Sequence, residues 1–229
     1  MNETTKPNPL IELLITIILP SFILMKLSGP EDLGTLNAFL LALAFPFFWG
    51  AWSLVSERKV NMLAVLGLCS ILLTGGIGVL QLDTQWLAVK EAAIPGLIGM
   101  VVIVSVFIGK PLVQVLLLSP ALLNVELIQE NLQQRGNMPA FESRLKYATW
   151  MLGGSFLFSA IMNYLLATWI VTSPAGTQAF NEELGRMNLL SYPVIALPSM
   201  LIMLALFYYL SRSLTQLAGL KLSEVIKQR

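Results

Sequence analysis

Histidine is absent from the 229 residues, and cysteine occurs once, as Cys69. No intrachain disulfide can form. A histidine-based triad, a His-ligated metal and a histidine pH switch are excluded. Charge is scarce as well: 12% of residues are Asp, Glu, Lys or Arg, against about 25% in an ordinary soluble domain. The net charge is +1 and no basic run interrupts the chain, so no stripe exists for nucleic-acid phosphates. There is no nucleophile elbow, phosphate loop, metal cluster or dinucleotide fingerprint. The expectation is a protein that is not an enzyme and uses no cofactor or metal.

What is abundant is apolar sequence, 56% of the chain. It falls into six stretches, at 9–27, 34–55, 61–81, 86–109, 147–172 and 189–211. A hydrocarbon core of ~30 Å is crossed by about 20 apolar residues in a helix. The fold class predicted is therefore an all-α, polytopic membrane bundle of six spans, forming a single domain over 1–229. The first stretch is too long for a cleavable signal and runs into Lys26-Leu27-Ser28-Gly29-Pro30 without a small-x-small site, so it reads as the first span.

The cations set an orientation. With six spans, eleven of the fourteen Lys and Arg lie on one side, in the N-terminus, the 56–60 loop, the 110–146 loop and the C-terminal tail. Only Lys26 and Arg186 lie opposite, and Lys90 lies within a span. Basic loops mark the cytoplasm. Both termini are expected inside, with the acidic loops of Glu31, Asp32, Asp83, Glu182 and Glu183 outside. Residues 111–123 are only about 13 long, cover ~20 Å and contain Pro111 and Pro120. Together with their continuation to 133 they read as a re-entrant or interfacial segment. Leu122, Val125, Ile128 and Leu132 recur there at helical spacing, among Glu126, Gln129, Glu130 and Gln133. This is the pattern of a short amphipathic helix on the cytoplasmic surface.

The spans carry their own punctuation. Pro20, Pro46, Pro95 and Pro198 free the carbonyls of Thr16, Ala42, Glu91 and Val194, which then need other partners. Gly75-Gly76-x-Gly78 and Gly153-Gly154 allow close helix approach. Cys69 reads as a small packing residue. Glu12 suits the start of the first helix, behind an Asn8 cap and Pro9.

Charge inside a membrane helix costs several kcal/mol and points to function or to a local partner. Lys90 and Glu91 lie one turn inside span four, behind an interfacial Trp86. Neighbours on a helix point ~100° apart, so the two are not expected to face each other as a pair. Asp83 is the expected counter-ion of Lys90, which would snorkel to the interface. With Thr74, Asn163 and Tyr164 these residues form a candidate polar pocket. On the other side Lys110, Arg135, Arg144 and Lys146 are candidates for contact with anionic lipid or a partner.

The middle of the chain resembles the intracellular septation protein A family of bacterial inner-membrane proteins. The resemblance rests on Thr74-Gly75-Gly76-Ile77-Gly78, on Asp83 with Lys90, and on Gly109-Lys110-Pro111-Leu112. Arg144-Leu145 and Ala160-Ile161-Met162-Asn163-Tyr164 follow, so that about 70–170 is covered. The family's aromatic-Lys pair in its last outer loop has no counterpart here, where the loop reads Ala179-Phe180-Asn181-Glu182-Glu183-Leu184-Gly185. The resemblance implies an inner-membrane protein of the cell envelope and division. It implies no catalytic activity, and contacts with other membrane proteins.

Two functions are thus in view. The first is a non-enzymatic envelope protein acting through protein or lipid contacts. The alternative is a small-solute or ion transporter or channel built around the Lys90 pocket, which with six helices calls for a homo-oligomer. Nucleic acid is not among the expected partners.

Overall fold

The computed structural model describes residues 9–56, 62–117 and 123–225. They are helical, and no β-strand occurs among them. Helix α1 (9–26) contains a π-helical turn, Leu14–Ile18, between α-helical Pro9–Leu13 and Leu19–Lys26. There follow α2 (Thr35–Ser56), α3 (Met62–Val79), α4 (Gln85–Phe107), α5 (Leu112–Leu117), α6 (Val125–Gln134) and α7 (Met138–Ile170). The chain ends in α8 (Gln178–Ser191), a second π turn at Tyr192–Ala196, α9 (Leu197–Ala218) and α10 (Leu222–Val225).

Four helices among the described residues are long and apolar enough to cross a membrane: Thr35–Trp52 within α2, Gln85–Phe107, Met138–Ile170 and the continuous Gln178–Ala218. In the last of these the apolar part begins near 189. Bulky side chains such as Trp52, Phe107 and Trp169 are exposed on their surfaces, as expected where the solvent is lipid. Cys69 is exposed too, so it is a surface residue of α3 and not an internal packing one.

The prolines sort into two kinds. Pro46 and Pro95 sit inside α2 and α4. Pro20 and Pro198 each open an α-helical segment directly after a π turn. In α1 the Leu19 N–H reaches back five residues, to the Leu14 carbonyl. The wide turn moves the hydrogen-bond ladder off its regular count just ahead of the ring that would otherwise clash with it.

Two compact units emerge, with chain crossings at 93/94, 161/162 and 195/196. The first, Met1–Ala93 with Met162–Ile195, buries Ile23 and Leu24 of α1, Phe39 and Ala42 of α2, Leu87 of α4, and Phe180 and Leu184 of α8 in one apolar cluster. The second, Ile94–Ile161 with Ala196–Arg229, buries Val102, Ile128, Leu132, Phe141, Leu145, Leu206 and Leu210 in another. In the first unit Gly78 allows a close approach: a Cβ there would overlap the ring of Phe39.

Several boundaries differ from the sequence expectation. Helix α7 begins at Met138, nine residues before the predicted span. Pro139 suits a first turn, Asn137 ties the start to α9 through an Nδ2–H bond to the Leu217 carbonyl at 2.9 Å, and Phe141, Leu145 and Ala148 are buried along one face. Arg144 and Lys146 therefore stand on a helix, not in a loop. The segment before the last span, expected as an outer loop, is α8, capped by the Thr177 hydroxyl accepting from Phe180 N–H. In α6, Ile128 and Leu132 are buried while Glu126, Gln129, Glu130 and Gln133 are exposed, as the periodicity predicts. The Asn124 side chain caps it. Asn8 and residues 118–122, on which the helix-start and re-entrant readings partly rest, lie outside the described residues.

Candidate functional site

The first unit holds a buried charge cluster. Lys90 is the sixth residue of α4, and its side chain is 8% exposed. Its ammonium donates to Thr74 Oγ1 at 2.7 Å and to Ser70 Oγ at 3.1 Å. Its third contact is Glu91 Oε1 at 2.6 Å, from a side chain 24% exposed. An ammonium has three N–H donors, and three acceptors meet them. Thr74 in turn donates to the Ser70 carbonyl at 3.0 Å, which leaves its oxygen lone pairs toward Lys90.

This arrangement corrects two expectations. Lys90 and Glu91 are a pair although they are neighbours in sequence, because four methylenes let the ammonium swing across the ~100° between their positions. Asp83 is not the counter-ion: its Oδ1 accepts the Gln85 N–H at 2.8 Å and closes the first turn of α4. Nor does Lys90 snorkel outward. Thr74 and Ser70 lie about 7.5 and 13.5 Å along α3 from its end at Val79, at ~1.5 Å per residue. The ammonium is held at those depths.

Of the other predicted pocket residues, Asn163 is half-buried and Tyr164 exposed on α7. Sequence reasoning missed Ser70, one helical turn from Thr74 and so on the same face of α3; that spacing was the available signal.

A second polar centre was not anticipated. Asn181 of α8 is 1% exposed and donates both Nδ2 protons, to Ser28 Oγ at 3.0 Å and to the Thr35 carbonyl at 2.8 Å. It joins α8 to both ends of the α1–α2 connection. Nearby, Glu183 accepts from the N–H and hydroxyl of Ser173 (2.8 Å each), and from the Thr172 N–H at 2.9 Å and its hydroxyl at 3.4 Å. Burial pushes its carboxyl pKa up, but the bonds from Ser173 and Thr172 outweigh this and hold it below the ordinary value.

The predicted basic contacts lie in the second unit. Arg135, just past α6, sets its guanidinium against Gly219, which ends α9 at φ 71° where a side chain would be strained. A cation there also meets the negative end of the α9 dipole. Arg144 lies over the Tyr209 ring, 5.5 Å from its centroid. Lys110 and Lys146 are exposed. Arg135 and Arg144 are exposed as well, and make these contacts at the surface.

Three concave regions can be described. One of about 150 Å³ lies among the first turns of α2 and α8 and the end of α3. Open grooves of about 450 Å³ between α2 and α3, and about 350 Å³ along 97–112, are lined almost wholly by apolar side chains. Lys90 and Glu91 line none of these three. No group of three or more Asp, Glu, Cys or His suited to a metal occurs among the described residues. No family model, curated protein or solved structure matches the chain.

Proposed function

We propose that the protein is a six-span integral membrane protein of the bacterial inner membrane, with both termini cytoplasmic, acting without catalysis through contacts with other membrane proteins or lipid. α1 and α3 supply the two spans beyond the four longer helices. Their 18-residue helical stretches cover about 27 Å. The orientation rests on the eleven cations of one side, and the envelope role on the resemblance over 70–170.

One observation carries the choice between contact protein and transporter. The Lys90 ammonium has all three donors engaged within its own unit. A cargo site needs a charge or dipole left open for the cargo, and here the open valences are spent on Ser70, Thr74 and Glu91.

Two measurements test this reading. In a Cys69→Ala background, Thr74→Cys is exposed to a membrane-impermeant maleimide in right-side-out and inverted vesicles. The contact reading expects no labelling from either side. Labelling from one or both sides means a hydrated path and favours the transporter. Photocrosslinking residues placed at Trp52, Phe107 and Trp169 in living cells should give discrete protein or lipid adducts. A complete lack of adducts at all three sites refutes action through contacts.

A further inference from the structure

Helices α7 and α9 run antiparallel within the second unit, and two ties fix their register. Asn137, just before α7, donates from Nδ2 to the Leu217 carbonyl at 2.9 Å, and Ser159 and Ser199 share a hydroxyl hydrogen bond at 2.9 Å. Counted along the chain from either tie, Arg144 falls level with residues 210–214 of α9, and Arg212 stands in the middle of these. A pair of rings links the two positions. Tyr147 of α7 and Tyr209 of α9 pack with centroids 5.4 Å apart, and the Arg144 guanidinium lies 5.5 Å from the Tyr209 centroid. Residues three apart share a face of a helix, so Arg144 stands one turn from Tyr147 and Arg212 one turn from Tyr209. Because the helices are antiparallel, both arginines fall on the same side of the tyrosine pair.

Their level is that of a membrane surface. The apolar stretch of α7 starts at 147 and that of α9 stops at 211. Each arginine therefore lies just outside the hydrocarbon, with Tyr147 at its edge, where amphipathic rings settle. Both arginine side chains are exposed. Among the described residues neither guanidinium has a carboxylate within ion-pair distance. Glu142, next but one to Arg144, stands about 200° away around α7. Packing over Tyr209 uses none of the N–H donors of Arg144, and Arg212 gives one to Tyr208 Oη at 3.4 Å. Two like charges are thus held at one level, with donors to spare and no counter-charge of their own. One turn deeper, Trp150 meets Phe107 edge-on at 5.6 Å, and both are exposed. Apolar surface directly below the arginines suits an anion that carries acyl chains.

We propose that Arg144 and Arg212 together bind the phosphate of an anionic phospholipid, whose chains lie over Tyr147, Trp150 and Phe107. The guanidinium fork matches phosphate oxygens with paired donors. This inference rests on the contact reading above and gives it a lipid and a place.

The test is native mass spectrometry of the full chain in detergent, titrated with dioleoylphosphatidylglycerol, dioleoylphosphatidylcholine and glycerol phosphate. Saturable binding of the phosphatidylglycerol is expected, about tenfold tighter than the choline lipid. Arg144→Gln and Arg212→Gln should each weaken it about fivefold, and the double variant about twenty-five-fold. Lys146→Gln removes an equal charge from the far face of α7, and should change binding by less than about twofold because salt screens a charge held away from the site. All three positions are exposed, and each variant is first checked for an unchanged elution profile. Equal losses in Lys146→Gln and the arginine variants, or no preference for the anionic lipid, overturn the site. Glycerol phosphate binding as tightly as the lipid overturns the lipid as its occupant. The contact function survives each of these outcomes, because adducts at Trp52 and Trp169 of the first unit read it separately.

Discussion

The two units differ in the hydrogen bonds that join their elements: in the first these include charged side chains, and in the second they are neutral and stand beside hydroxyls turned back on their own helix. In the second, Thr149 Oγ1 donates to Leu145 O, Ser213 Oγ to Tyr209 O and Ser105 Oγ to Val102 O. Each hydroxyl is returned to its own helix; Ser105 Oγ in addition accepts the Leu112 N–H at 3.0 Å, and the Asn137–Leu217 and Ser159–Ser199 bonds, each 2.9 Å, join separate helices of that unit. In the first, Lys90 links α4 to α3, Asn181 links α8 to residues 28 and 35, and Glu183 links α8 to 172 and 173. Those bonds join separate elements. Apolar contact alone leaves helices free to slide or rotate against one another in lipid, because the tails are as apolar as the side chains. Polar cross-links fix register; both units have them, and in the first they include the charged side chains of Lys90 and Glu183.

The sharpest way to break this contrast is to strand the Lys90 charge. Glu91→Leu leaves an ammonium with two neutral partners and no counter-charge, and should lower unfolding stability in detergent by about 3 kcal/mol. Lys90→Leu should cost less, since Glu91 is partly exposed. The double variant should recover most of the loss, and a double-mutant cycle without coupling would show that the pair is not formed. Next in size, Asn181→Leu removes two cross-element bonds and should cost about 2 kcal/mol, whereas Thr149→Val in the second unit should cost under about 1 kcal/mol. Equal costs would erase the distinction. Gly78→Ala should cost about 1–3 kcal/mol by displacing Phe39; a neutral thermal shift would show that the ring yields freely. The smallest effect is electrostatic. The Glu183 carboxyl titrates lower in the folded chain than in the unfolded one, so its contribution is present above the unfolded value of about 4.3 and is lost as pH falls through the folded value. Glu183→Gln should flatten that part of the acid-side decline in Tm; an unchanged slope would show that Glu183 does not contribute to it.

Much of the architecture was legible from period and length. The stretches at 34–55 and 86–109 became α2 and α4, and Ile128 and Leu132, of the pattern Val125, Ile128, Leu132, gave α6 its buried face. α8 was not legible as a helix because Asn181, Glu182, Glu183 and Arg186 lower its hydropathy. Yet Phe180, Leu184 and Met187 recur at helical spacing behind the Thr177 cap, a signal that charge counting hides. The site was half legible. Lys90, Glu91 and Thr74 stood out because charge is rare in such helices. Their pairing did not, because backbone angles between neighbours say little about where a four-methylene side chain ends. Asn181 carried no sequence signal at all: what makes it unusual is that Thr35 and Ser28 both lack a proton to give it, and only three-dimensional placement reveals that.

The wide turn at Leu14–Ile18 has a consequence for how α1 can change length. In a regular helix the loss of one residue swings everything beyond it by about 100°, which would turn Pro20, Ser21, Ile23 and Leu24 away from the interior they now occupy. A turn that already holds one residue more than an α-turn can give one up and leave both flanks facing as before. The ring of Pro20 would then stand against a regular ladder, so a shortened α1 calls for a paired change, one deletion within 14–18 together with Pro20→Ala. Homologous chains with a one-residue gap at this place should lack the proline.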